Sequence, residues 1–107
     1  MDQILLVICN VPDAASAQQL AEEILKNNYA ACVNVMPEMR SFYNWNGRQE
    51  TSTEFALLIK STQTRYAELQ ALIENLHPYE VPEIIAIPVA AGLPAYLQWV
   101  LKETGSK

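Results

Sequence analysis

Residues 41–60 read Ser-Phe-Tyr-Asn-Trp-Asn-Gly-Arg-Gln-Glu-Thr-Ser-Thr-Glu-Phe-Ala-Leu-Leu-Ile-Lys, and they decide the fold. Asn46-Gly47 is the dipeptide favoured in a two-residue hairpin turn, because both central positions need positive φ. Phe42, Tyr43 and Trp45 before it are strand formers, and a strand from about Glu50 to Lys60 follows it. Its later part, Phe55 to Ile59, is apolar on both faces. The hairpin therefore joins two long strands, and its tip is expected to project beyond a small core.

Moving outward, Ala31 to Val35 reads as the start of the second strand, with Pro37 marking a bulge or bend before Phe42. Ile4 to Cys9 is an apolar run of strand length, suited to a strand covered on both faces or central in its sheet. A helix opens after Pro12-Asp13, or at Ser16 with Gln19 as a capping box. Ala17, Leu20, Ala21, Ile24 and Leu25 form its apolar stripe, and Asn27-Asn28 its stop.

A second helix, capped by Thr62 or Thr64, buries Tyr66, Leu69, Leu72, Ile73 and Leu76. Pro78 ends it by biasing His77 out of the α region. Glu83 to Pro88 is a fourth strand. Pro94 starts a last helix with Tyr96, Leu97, Val100 and Leu101 on its face, and the final polar residues are expected to fray. The order is that of an α+β fold, a ferredoxin-like βαββαβ sandwich with a long hairpin and an extra C-terminal helix. The single domain spans residues 1–107. Two helices cover one face of the sheet. The strands are apolar on both sides, so the second face calls for a cover, best met by another copy of the chain.

The chain has 107 residues, of which 50% are hydrophobic and 18% charged, so a folded globule is expected and disorder is not. A formal net charge of −5, with no Lys/Arg cluster, argues against nucleic-acid binding and is compatible with cationic partners. No segment suits a membrane span, and Met1-Asp2-Gln3-Ile4 lacks the basic start of a signal peptide. Two cysteines, Cys9 and Cys32, make no disulfide scaffold, and a reduced, cytoplasmic setting is expected. Nucleophilic catalysis finds little support: there is no Gly-x-Ser-x-Gly elbow or phosphate loop, and Ala31-Cys32 reads as core.

Several segments, in order and at family spacing, carry a resemblance: Val11-Pro12-Asp13, Ala30-Ala31-Cys32-Val33-Asn34, Ser41 to Gly47, Glu54 to Lys60, His77-Pro78-Tyr79-Glu80-Val81-Pro82-Glu83, and Tyr96 to Trp99. The sequence resembles the CutA family of divalent-cation tolerance proteins over nearly its whole length. The resemblance implies a homotrimer in which long hairpin strands pair between subunits, similar to the assembly of PII-type signalling proteins. It implies a role in the response to copper and other divalent metals, and no assigned reaction.

The implied metal ligands are Cys9 and His77. A thiolate suits copper(I), although free cysteines in apolar strands are commonly small buried hydrophobes. Copper-binding relatives carry two adjacent histidines before Pro-Tyr; here Leu76 takes the first place and only His77 remains. His77 reads equally as a helix-ending imidazole that donates to a carbonyl. If residues 77–83 ran straight, His77 and Glu83 would lie about 20 Å apart and could not share an ion. A complete site would need donors from elsewhere. By family analogy Tyr43, Trp45, Lys60, Tyr79, Glu80 and Glu83 gather at a cleft between subunits, suited to a small anionic or polar ligand. The same residues read as a plain interface. Three functions stay open: a trimeric metal-binding or metal-response protein, a PII-like module with a ligand in its cleft, and a trimeric scaffold.

Overall fold

A computed structural model describes residues 2–105. The element order is β1 (Ile4–Val11), α1 (Ala14–Lys26), β2 (Cys32–Val35), β3 (Met39–Trp45), β4 (Arg48–Thr62), α2 (Gln63–Leu76), β5 (Ile84–Pro88) and α3 (Pro94–Glu103). The sheet runs β2-β4-β1-β5, with β3 paired to the outer length of β4, and every pairing is antiparallel.

The hairpin turn is as read. Asn46 and Gly47 have φ of 52° and 76°, the positive values that Asn and Gly tolerate best. β4 is longer than the expected strand, reaching Arg48 at one end and Thr62 at the other. Its 15 residues account for the 45 Å long axis of the molecule, at about 3.3 Å per residue. Only the inner part, from Glu54 onward, enters the core. The outer part pairs with β3 alone, from Met39↔Glu54 to Trp45↔Arg48.

Local chemistry settles the open helix starts. Asp13, not Ser16, caps α1: its Oδ1 accepts from Ser16 N at 2.7 Å, and this bond holds its carboxyl below the usual carboxylate range. Thr62, not Thr64, caps α2, with Oγ1 accepting from Arg65 N. Asn28 ends α1 in the left-handed region at φ 59°. His77 caps α2 at φ −71°, ψ 135°, extended as the following proline demands.

The strands alternate. Leu5, Val7, Cys9 and Val11 of β1, with Leu57 and Ile59 of β4, face Ala17, Leu20 and Ile24 of α1 and Leu69 and Ile73 of α2. This is the main core. Truncating Leu57 or Ile59 to Ala there would cost about 2–5 kcal/mol. Residues of the other parity, including Leu6, Ile8, Leu58 and Lys60, face away from those helices. α3 covers one end of that second face, packing Val100 and Leu101 on Ile4. Ile85 and Ile87 on β5 remain 49% and 44% exposed.

Four expectations are corrected. Ala31 lies just outside β2, and Glu83 just before β5. Tyr96 is not buried on α3; it is 39% exposed and stacks near Trp99, with ring centroids 5.7 Å apart. Cys32 is not core: it starts β2 on the second face and is half-buried. The expected fraying at the C-terminus falls partly on Ser106 and Lys107, which lie outside the described residues. Among the described residues no helix is long and apolar enough to cross a membrane.

Candidate functional site

Pro78 and Pro82 stiffen the segment between α2 and β5, but it does not run straight. It bends through residues 78–81. The straight-run separation of His77 from Glu83 is therefore corrected: both reach Asn10, at the end of β1. His77 Nε2 lies 2.7 Å from the Asn10 carbonyl oxygen, and Glu83 Oε1 accepts from Asn10 Nδ2 at 3.3 Å.

These bonds fix the state of the imidazole. A carbonyl can only accept, so Nε2 carries the hydrogen. The other nitrogen, Nδ1, accepts from Tyr79 N–H at 3.0 Å. The ring is 8% exposed and its edge is fully engaged. Cys9 Sγ lies 3.9 Å from the same Asn10 carbonyl, so the two implied metal ligands do converge. The thiol is fully buried. Burial first, then the carboxylates Glu83 and Glu54, push its ionisation up to about 12.

Within one chain this pair does not fit a copper ion. A ligand thiol must lose its proton, and a ligand imidazole must offer a lone pair. Here the thiol is held protonated, and Nδ1 is taken by a backbone N–H. No cluster of three or more His, Cys, Asp or Glu side chains able to hold a metal ion occurs among the described residues.

Beside this corner a cleft of about 770 Å³ opens between the hairpin arm and the bent segment. Within this one chain Tyr43 and Trp45 line it from β3, and Tyr79, Glu80 and Glu83 from the bend. Lys60 is not among its lining residues. It shares a face of β4 with Glu54 but lies six positions along, about 20 Å away. There its Nζ donates to Asn34 Oδ1 and lies 3.8 Å from Cys32 Sγ.

Sequence reasoning missed two residues of the cleft. Asn10 contributes an amide whose Oδ1 is buried without a hydrogen-bond partner. Glu54 contributes a carboxylate only 7% exposed, which accepts from Tyr79 Oη at 2.8 Å. Burial first, then this bond and the Glu54 charge, push the Tyr79 phenol up to about 12, so it remains a donor. A signal was present: Glu54 is a charged residue at the edge of the apolar run Phe55 to Ile59. Its partners, however, come from β3 and from beyond α2.

The family model of the CutA1 divalent ion tolerance protein matches residues 5–103. The divalent-cation tolerance protein CutA of Thermus thermophilus is 37% identical over 105 residues, covering 98% of this chain and 100% of that one. The structure of the divalent cation tolerance protein from Thermus thermophilus superposes with a TM-score of 0.92, covering the same shares of the two chains. The periplasmic divalent cation tolerance protein CutA from Archaeoglobus fulgidus superposes at 0.90, with 32% identity over 97% of this chain and 99% of that one. With its one antiparallel sheet, three helices and hairpin arm, the chain belongs to the CutA1 divalent ion tolerance protein family.

Proposed function

We propose that the protein takes part in the response to divalent metal ions as a cytoplasmic homotrimer that binds copper or another divalent cation and catalyses no reaction. The observation that carries this is the uncovered second face of the sheet. Ile85 and Ile87 lie exposed beside half-buried Leu6, Ile8 and Leu58, an apolar surface suited to further copies of the chain. In one chain Cys9 and His77 supply two committed donors and no third. The remaining ligands of an ion would come across a subunit boundary, after Tyr79 N–H gives up Nδ1. The relatives' names, divalent cation tolerance proteins, point the same way. Free Cys9 and Cys32 favour a reducing compartment, although one relative is named as periplasmic. With β2 and β3 counted as one broken strand, the strand order supports the ferredoxin-like reading.

Two measurements test the proposal. Light scattering at micromolar concentration is expected to give about three times the 12.0 kDa chain mass; a monomer would sink it. Anaerobic titration with Cu(I), with Cu(II) and Zn(II) run separately, is expected to show saturable binding that Cys9→Ser and His77→Ala both weaken. Binding unchanged in both variants would remove the metal role from these residues.

A second reading rests on the cleft: a PII-like module that takes a small ligand between the hairpin arm and the bend. Its aromatic walls and its volume, within the range of small-molecule sites, favour it.

A further inference from the structure

We infer that the cleft binds a small organic cation, an alkylammonium group held against Tyr43, Trp45 and Tyr79 with Glu54 as its counter-charge. The inference rests on the reading of the cleft as a ligand site and assigns the sign and chemical class of the ligand.

The sign comes from the lining. Three carboxylates, Glu54, Glu80 and Glu83, line the cleft, and among the described residues no Lys, Arg or His does. The lysine that had suggested an anionic ligand lies far along β4. Arg40 is not a lining residue, and its guanidinium lies 5.4 Å from the centre of the ring of Phe42, which lines the cleft, so that the cation is already held on an aromatic face. Arg48 lies across from Trp45 at the hairpin end and is not a lining residue.

Glu54 gives a stronger indication than the count. It is more than nine-tenths buried, and its one described hydrogen bond comes from a neutral phenol. Among the described residues the one salt bridge joins Arg65 and Glu68 on α2, so none of their basic side chains pairs with Glu54. A buried carboxylate without a counter-charge is a costly arrangement, and a bound cation relieves it.

The class follows from how the carboxylates are spread. A divalent metal needs oxygens that converge to about 2.0–2.6 Å from one point. The three glutamates form no such cluster. They stand around a cleft walled by aromatic rings instead. An alkylammonium ion carries a diffuse charge and weakly hydrated carbon, and it gains from ring faces and dispersed carboxylates together. Asn10 Oδ1, buried in the same wall without a partner, adds negative potential of the same sense.

The test is a chemical-shift titration of the isotope-labelled full-length protein with tetramethylammonium chloride, and separately with sodium glutarate, at matched ionic strength. Tetramethylammonium is expected to shift the Trp45 indole and Tyr79 amide resonances saturably. Glu54→Gln should weaken it about tenfold, the loss of one charged partner in a desolvated site. Trp45→Leu should abolish the shift at Tyr79. Glu83→Gln, nearer the solvent, gives a second charge variant should Glu54→Gln fail to fold, and it too should weaken binding. Glutarate binding at these resonances, lost in Lys60→Ala, would overturn the inference yet keep the cleft as a ligand site completed by a neighbour's lysine. Silence with both probes would overturn the inference and the cleft reading together.

Discussion

The corner at His77 and the cleft beside it are built from one short segment, residues 77–83, yet they treat polar groups in opposite ways. At the corner, both imidazole nitrogens are hydrogen-bonded, and the neighbouring thiol is buried and protonated. Two strong metal donors are present, and both are occupied in holding the fold. In the cleft, the Glu54 carboxylate is as deeply buried as His77 and accepts from a neutral phenol, and among the described residues it has no salt-bridge partner. Residue type alone therefore does not establish a site. A donor counts when its lone pair or charge is left unanswered, and by that measure the cleft is the open one.

The largest expected effect lies at the corner. His77→Ala removes the donor to the part-buried Asn10 carbonyl and the acceptor for Tyr79 N–H at one stroke. Two backbone groups lose their partners and a cavity forms. A destabilisation of about 2–4 kcal/mol is expected from the denaturant midpoint, measured at fixed protein concentration because assembly adds to stability. A loss below about 1 kcal/mol would undo the contrast, because the imidazole would then be free for other work.

The next effect is a pH dependence. Cys9 is pushed up to about 12 in the fold from an ordinary value of 9.0. A group whose folded value is raised holds its proton longer folded than unfolded. Its contribution is complete below pH 9 and is lost as pH rises from 9 towards 12. At pH 10 the expected loss is about 1.4 kcal/mol. Tyr79, raised in the same direction, adds to the decline from about pH 10 upward. Cys9→Ala should delay the onset by about one pH unit and make the decline shallower. An identical alkaline profile in that variant would mean that the thiol ionises more easily than its burial indicates, which would reopen it as a metal ligand.

Much of this was legible in the sequence where the signal is local. Asn46-Gly47 sets positive φ, Pro78 sets the extended cap at His77, and the continuous apolar run Ile4 to Cys9 marks a strand central in its sheet. The cleft was legible in part. Aromatic Tyr43 and Trp45 and the Pro-rich bend stand out by residue type. Glu54 does not, because its significance comes from the register Met39↔Glu54 and from the fold of residues 78–81, which sets Tyr79 on it. Both are long-range facts. Lys60 fails for the converse reason: it has the parity of Glu54 but not its position along a 15-residue strand. Cys32 reads as core in the sequence because the apolar residues near it suggest a covered face, and that face is the one this chain leaves open.

The smallest effect separates charge from hydrogen bonding inside the cleft. Glu54→Gln keeps an acceptor for Tyr79 Oη and removes a buried charge that has no salt-bridge partner among the described residues. Its stability should stay within about 0.5 kcal/mol of the parent or rise slightly. Glu54→Ala removes the acceptor as well and should cost about 1–2 kcal/mol, leaving the phenol without its partner. Matched thermal and denaturant unfolding of the two variants reads the difference. If Gln costs as much as Ala, the negative charge itself stabilises the protein, and a positive group must already face it in the assembly. The cleft would then be as fully answered as the corner, and the contrast between them would disappear.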